Sequence, residues 1–181
     1  MTVWIIRLVG GTALCIILLL GIGLYKQRED VYLDITWHDL IDQNKPQPDN
    51  YFSHMNLSEL DDVDPMAQEL LAELLVEWAN APVNELLDQR LLSISGYVVP
   101  LEWTKDHQLK EFLLVPYFGA CIHSPPPPAN QIIYINLIDG MKNIRSMDYV
   151  SVSGRLTREK NDSATLGISS YTILPKEIKR L

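Results

Sequence analysis

The spacing of apolar positions changes character along the chain. Residues 8–25 carry no charge, and Val3 to Ile6 extend that run, interrupted by Arg7. An apolar helix of this length is enough to cross a hydrocarbon core of roughly 30 Å. The pattern predicts a transmembrane anchor or uncleaved signal over residues 1–28. The run is long for the apolar region of a signal peptide, which favours retention over cleavage. Residues 29–63 read as an acidic linker. It contains a short segment around Trp37 and a loop marked by Pro46, Pro48 and Asp49-Asn50.

A helical period follows. Asp64 is placed to cap a helix and Pro65 to fill its first position, predicting an amphipathic helix over residues 64–80. Met66, Leu70, Leu71, Leu74, Leu75 and Trp78 fall on one apolar stripe, with Glu69, Glu73 and Glu77 on an acidic face. The stripe either covers the core of the following domain or docks on a partner.

From Arg90 the period becomes two. Leu92, Ile94 and Val98 alternate with Ser93, Ser95 and Tyr97, and Gly96 in mid-strand predicts a bulge or sharp coil. Further strands are predicted over 111–117, 132–138, 149–157 and 166–174, with a short helix over 141–147 and a basic tail after the last strand. The fold class is therefore mainly β: a small OB-like five-stranded barrel over residues 85–181, preceded by a transmembrane helix and an amphipathic α-helix. An SH3-like or other small barrel is the alternative.

Charge changes the picture in one respect. The net charge of −8 divides as +1 over residues 1–30, −11 over 31–90 and +2 over 91–181. That lacks the basic footprint of a nucleic-acid binder, so nucleic acid is not an expected partner. The acidic middle is either a solvated face or a docking surface for a basic partner. Cys15 lies in the apolar run and Cys121 in the domain, which argues against an intrachain disulfide.

Candidate chemistry converges on residues 116–131. Pro125 to Pro128 lack amide hydrogens and hold φ near −65°, predicting a stiff polyproline strap. In an extended chain Cys121 and His123 would share a face. A thiolate and an imidazole suit zinc, and His107 is a further candidate ligand, with Asp106, Glu102 and Glu111 nearby in sequence. Zinc usually takes three or four protein ligands, so two readings stay beside this one: a structural pair, and a cysteine nucleophile activated by histidine. The aromatics Tyr97, Trp103, Tyr117, Phe118 and Tyr134 form either core or a stacking platform. Tyr97, Tyr117, Phe118 and Asn130 are the predicted binding surface.

The segments Gly96-Tyr97-Val98-Val99-Pro100-Leu101-Glu102, Glu111 to His123, and Pro125 to Gln131 resemble an uncharacterised family of bacterial cell-envelope proteins, a domain of unknown function. The resemblance covers residues 85–175, and Ile35 to Leu40 resembles that family's tryptophan-containing segment upstream. Ser124 stands where the family has valine and Ser95 where it has proline. The resemblance implies an envelope location, a small β domain, and an association with envelope transporters and zinc-responsive operons. It implies no activity. Charges flanking the apolar run are balanced, Arg7 and the α-amino group against Lys26 and Arg28. The resemblance decides the orientation: a single pass in a bacterial inner membrane with the C-terminal domain in the periplasm. The expected function is a membrane-anchored periplasmic accessory or binding module linked to zinc handling or to an inner-membrane transporter. The alternative is a metal-binding protein using Cys121 and His123. The sequence shows neither a catalytic triad nor a phosphate loop, which supports the module. A cysteine-dependent enzyme is the remaining option and would need a third orienting group and an oxyanion site, to which the sequence does not point.

Overall fold

The computed structural model describes residues 30–47, 65–119, 127–163 and 167–181. The chain divides into two units, Met1–Val31 and Tyr32–Leu181. The predicted membrane segment and the Asp64 cap lie outside the described residues. Among the described residues no helix is long and apolar enough to cross a membrane.

In chain order the second unit contains β1 (Leu33–Asp34), a 3-10 turn (Trp37–Leu40), helix α1 (Pro65–Ala79) and a second 3-10 turn (Glu85–Leu87). Then come β2 (Leu91–Trp103), β3 (Leu109–Val115), a third 3-10 turn (Ala129–Gln131), β4 (Ile133–Met141) and β5 (Tyr149–Thr157). The short strands β6 (Asn161–Asp162) and β7 (Ile168–Ser169) pair with each other, and β8 (Tyr171–Arg180) ends the chain's regular structure. The five long strands close on themselves in the order β2-β3-β4-β8-β5 and back to β2. β4 and β8 run parallel, and the other four contacts are antiparallel.

Alternation places the core. Leu92, Ile94 and Val98 of β2, Phe112 and Leu114 of β3, and Val150, Val152 and Leu156 of β5 point inward and are buried. They meet Ile133 and Ile135 of β4 and Tyr171 and Ile173 of β8. Each such large apolar side chain contributes about 1.5–3 kcal/mol by leaving water. Leu40, Leu87 and Ile144 join the same cluster from outside the long strands.

Several expectations are corrected. Gly96 sits in regular register between β2 and β5, and the irregularities of β2 fall later, after Pro100. Its missing side chain serves close packing instead: a Cβ there would lie 2.7 Å from the Val115 carbonyl oxygen and 2.8 Å from the Trp37 ring. No helix forms over 141–147; β4 runs through Asp139 and Gly140 to Met141. Asn143 and Met147 take left-handed φ of 62° and 64°, and Ile144 turns into the core, so the segment is a tight irregular turn. The last strand is Tyr171–Arg180, later than predicted, because the β6–β7 pair takes up the preceding residues. The basic residues Lys176, Lys179 and Arg180 therefore belong to a barrel strand and not to a tail.

The Trp37 segment is part of the barrel unit. β1 pairs with β2, and the Ile35 amide donates to the Ser93 carbonyl. Helix α1 spans the predicted range, but of its residues only Leu74 is buried. Met66, Leu71, Leu75 and Val76 are exposed, and no α1 residue belongs to either described core cluster.

Candidate binding surface

The outer wall of the barrel is built by the residues that alternate with the core. Val98, Leu114 and Ile133 face inward, so Val99, Leu113 and Tyr134 face outward on β2, β3 and β4. Val99, Leu113, Val115 and Ile132 form a second buried apolar cluster there, with Tyr97, Leu101, Tyr134 and Met147 packed against it.

Aromatic rings extend this cluster toward solvent. Cross-strand pairing sets Tyr97 of β2 opposite Tyr149 of β5, with ring centroids 4.9 Å apart and tilted at 49°. Phe118 also meets Tyr97 edge-on, at 5.8 Å and 85°. Such geometry is favourable for aromatic quadrupoles. Tyr97 is half-buried between its neighbours, whereas Phe118 keeps 67% and Tyr149 41% of its surface in water. Tyr117 is also exposed. Gly119 follows with φ of 80°, a left-handed conformation that suits glycine and turns the chain directly after the aromatics.

A polar row lies further along the same wall. Glu102, Glu111 and Asn136 are aligned across β2, β3 and β4. Facing carboxylates repel, and Lys110 relieves this: its ammonium lies 2.9 Å from Glu102 and 4.0 Å from Glu111. The hydrogen bond to Glu102, then the charge of that carboxylate, raises the Lys110 pKa. The Asn136 amide donates to Glu111 at 2.8 Å and to the Tyr134 hydroxyl at 3.3 Å. Burial, foremost, pushes the Tyr134 hydroxyl pKa up. This arrangement can stack a planar or apolar group on the rings and hold polar groups by hydrogen bonds beside them.

The other sequence candidates are placed differently. Asn130 is not on a surface: it is 2% exposed, and its amide donates to the Pro82 carbonyl at 2.8 Å and to Gln47 at 3.3 Å. An amide removed from water this way is a clamp between segments, since burial requires its hydrogen bonds to be met within the protein. His107 is exposed in the β2–β3 turn with φ of 55°. Among the described residues no three histidine, cysteine or carboxylate side chains come together as metal ligands. Cys121, His123, and Pro125 and Pro126 of the proline strap lie outside the described residues. Tyr149 is the surface residue that sequence reasoning missed. Its parity with Ser151 and Ser153 already marked it as outward; only the register places it against Tyr97.

Fold and wall together define a small closed-barrel domain with an aromatic outer surface. The chain belongs to the DUF3299 family, described as proteins of unknown function, which matches residues 37–180. It is similar to a crystal structure of a DUF3299 family protein from Pseudomonas aeruginosa PAO1, with 30% identity and a TM-score of 0.63. That likeness covers 83% of this chain and 97% of the other. A yobA protein from Bacillus subtilis subsp. subtilis str. 168 is 13% identical with a TM-score of 0.30, over 52% of this chain and 98% of its own. No curated protein matches the chain.

Proposed function

We propose that this chain is a membrane-anchored periplasmic accessory module that binds an inner-membrane protein, such as a transporter subunit, through the aromatic wall of an OB-like barrel. One observation carries the reading: Tyr97 packs against both Phe118 and Tyr149 while those two rings stay in solvent. Exposed, pre-ordered aromatics are what hot spots of protein interfaces are made from, because little side-chain freedom is left to lose on binding. The OB-like description is supported by the strand order and by closure through one parallel pair, β4 with β8. Barrels of that type bind ligands on their outer strands and adjoining loops. The membrane placement is supported by the charge-free run over residues 8–25 and by the envelope resemblance. Zinc handling, through Cys121 and His123, is a second role compatible with the same architecture.

The test is a photo-crosslinking amino acid at position 118, with a control at Arg155 on the outer side of β5. In intact envelopes, position 118 should give one discrete adduct whose partner is an inner-membrane protein. Tyr149→Ser should abolish it. Equal adducts from both positions, or an adduct indifferent to Tyr149→Ser, would overturn the reading.

A further inference from the structure

The end of α1 and the chain after β5 enclose an open cavity of about 360 Å³. Ala79, Ala81 and Val83 supply apolar lining. Asn80, Arg158, Lys160 and Ser170 supply the polar part. A space of this size lies at the small end of ligand-binding pockets.

Its electrostatics are positive. The Lys160 ammonium is held by the neutral Asn80 side-chain oxygen at 3.0 Å, and among the described residues it forms no ion pair. Arg158 is balanced separately, by Glu85 at 3.2 Å and Asp88 at 4.0 Å. The C-terminal end of a helix is normally electronegative. Here that end is capped: the Asn80 side chain donates to the Val76 carbonyl, and the Asn80 and Ala81 amides donate to the carbonyls of Glu77 and Trp78. The uncompensated charge facing the cavity is therefore that of Lys160.

Hydrogen-bonding capacity is also left over. The Ser170 amide is used by the Ala129 carbonyl, but its hydroxyl has no partner among the described residues. One residue from the lining on either side, the Trp78 indole N–H and the Ser169 hydroxyl are buried without partners among the described residues. Buried polar atoms in proteins are ordinarily met, and exceptions are commonly met by water or a ligand.

We propose that this cavity binds a small organic anion: one carboxylate, held by Lys160 and Ser170, on a short aliphatic body lying against Ala79, Ala81 and Val83. A single uncompensated cation matches a single negative charge, and the methyl-lined side matches an alkyl group. The proposal is independent of the aromatic wall. A free short-chain acid and the C-terminal end of a peptide share this chemistry.

The test is an amide NMR titration of the full chain in detergent with butyrate, with N-acetyl-dialanine, and with neutral butyramide. Both acids should give saturable shifts at residues 79–83, 160 and 170. Butyramide should bind at least tenfold more weakly, and Lys160→Gln should weaken butyrate at least fivefold. Tighter binding of the dipeptide assigns the site to peptide ends, and tighter binding of butyrate assigns it to free acids. The absence of saturable shifts, equal binding of butyramide, or indifference to Lys160→Gln would overturn the site. None of these outcomes bears on crosslinking through position 118.

Discussion

The Trp37 indole nitrogen donates a hydrogen bond of 2.8 Å to the carbonyl of Ser95, and the Trp37 ring lies where a side chain on Gly96 would stand. This contact fastens a segment before α1 to the longest barrel strand. Gln131 tightens it from a third place in the chain, donating to the Trp37 carbonyl at 2.9 Å. Trp37→Phe keeps most of the packing but leaves the Ser95 carbonyl without its donor, which should cost about 1–3 kcal/mol. Gly96→Ala drives a methyl into both the Trp37 ring and the Val115 carbonyl and should cost at least as much. Urea unfolding followed by circular dichroism measures both. A Gly96→Ala protein as stable as the parent would contradict this packing.

Tyr171 makes stability depend on alkaline pH. Its buried hydroxyl donates to the Leu40 carbonyl at 2.7 Å and accepts from the Asn84 amide at 2.8 Å. Burial, foremost, raises its pKa in the folded protein. An unfolded tyrosine ionises near pH 10, so the folded state is favoured fully below that pH and progressively less above it. The parent should lose stability above about pH 10 more steeply than Tyr171→Phe. The variant itself should be about 1–3 kcal/mol less stable at pH 7, having lost both hydrogen bonds. Denaturation midpoints between pH 7 and 11 report both effects.

Asn130→Ala should destabilise the protein by about 1–3 kcal/mol, because it removes the 2.8 Å donor of the Pro82 carbonyl and leaves it only the Asp42 amide at 3.5 Å. Asn130→Asp should be worse, since it places a carboxylate against a carbonyl oxygen in a buried site. Thermal unfolding checks the order. A neutral Asn130→Ala would contradict its role as a clamp between segments.

Phe118→Ser should behave in the opposite way. The ring is 67% exposed and touches Tyr97 only edge-on, so stability should change by no more than about 0.5 kcal/mol. Crosslinking through a probe at Tyr149 should nevertheless fall sharply. A loss of stability as large as that of Trp37→Phe would make Phe118 a structural residue.

The zinc role is checked by metal analysis of the full chain purified without chelator. About one zinc per chain, absent from Cys121→Ser and His123→Ala, is the expected result for a thiolate–imidazole site. His107→Ala should leave the content unchanged, since His107 stands exposed in the β2–β3 turn and joins no donor cluster among the described residues. Zinc-free protein would assign the Cys121 stretch to scaffold.

Much of this architecture is written in short-range order. The inward Val150, Val152 and Leu156 and outward Ser151 and Ser153 define β5 as Tyr149–Thr157, because every second residue meets the same environment. The extent of α1 is likewise local, read from Pro65 onward and ended before Pro82. What tertiary structure alone decided spans long separations. Trp37 reaches Ser95 across 58 positions and Tyr171 reaches Leu40 across 131, so no window of sequence contains either contact. For the same reason Asn130 looked like a surface amide until Pro82 was placed beside it. Tyr149 became part of an aromatic cluster only when strand register set it opposite Tyr97. Periodicity tells each residue which side of its own strand it occupies; only closure of the barrel determines what lies across from it.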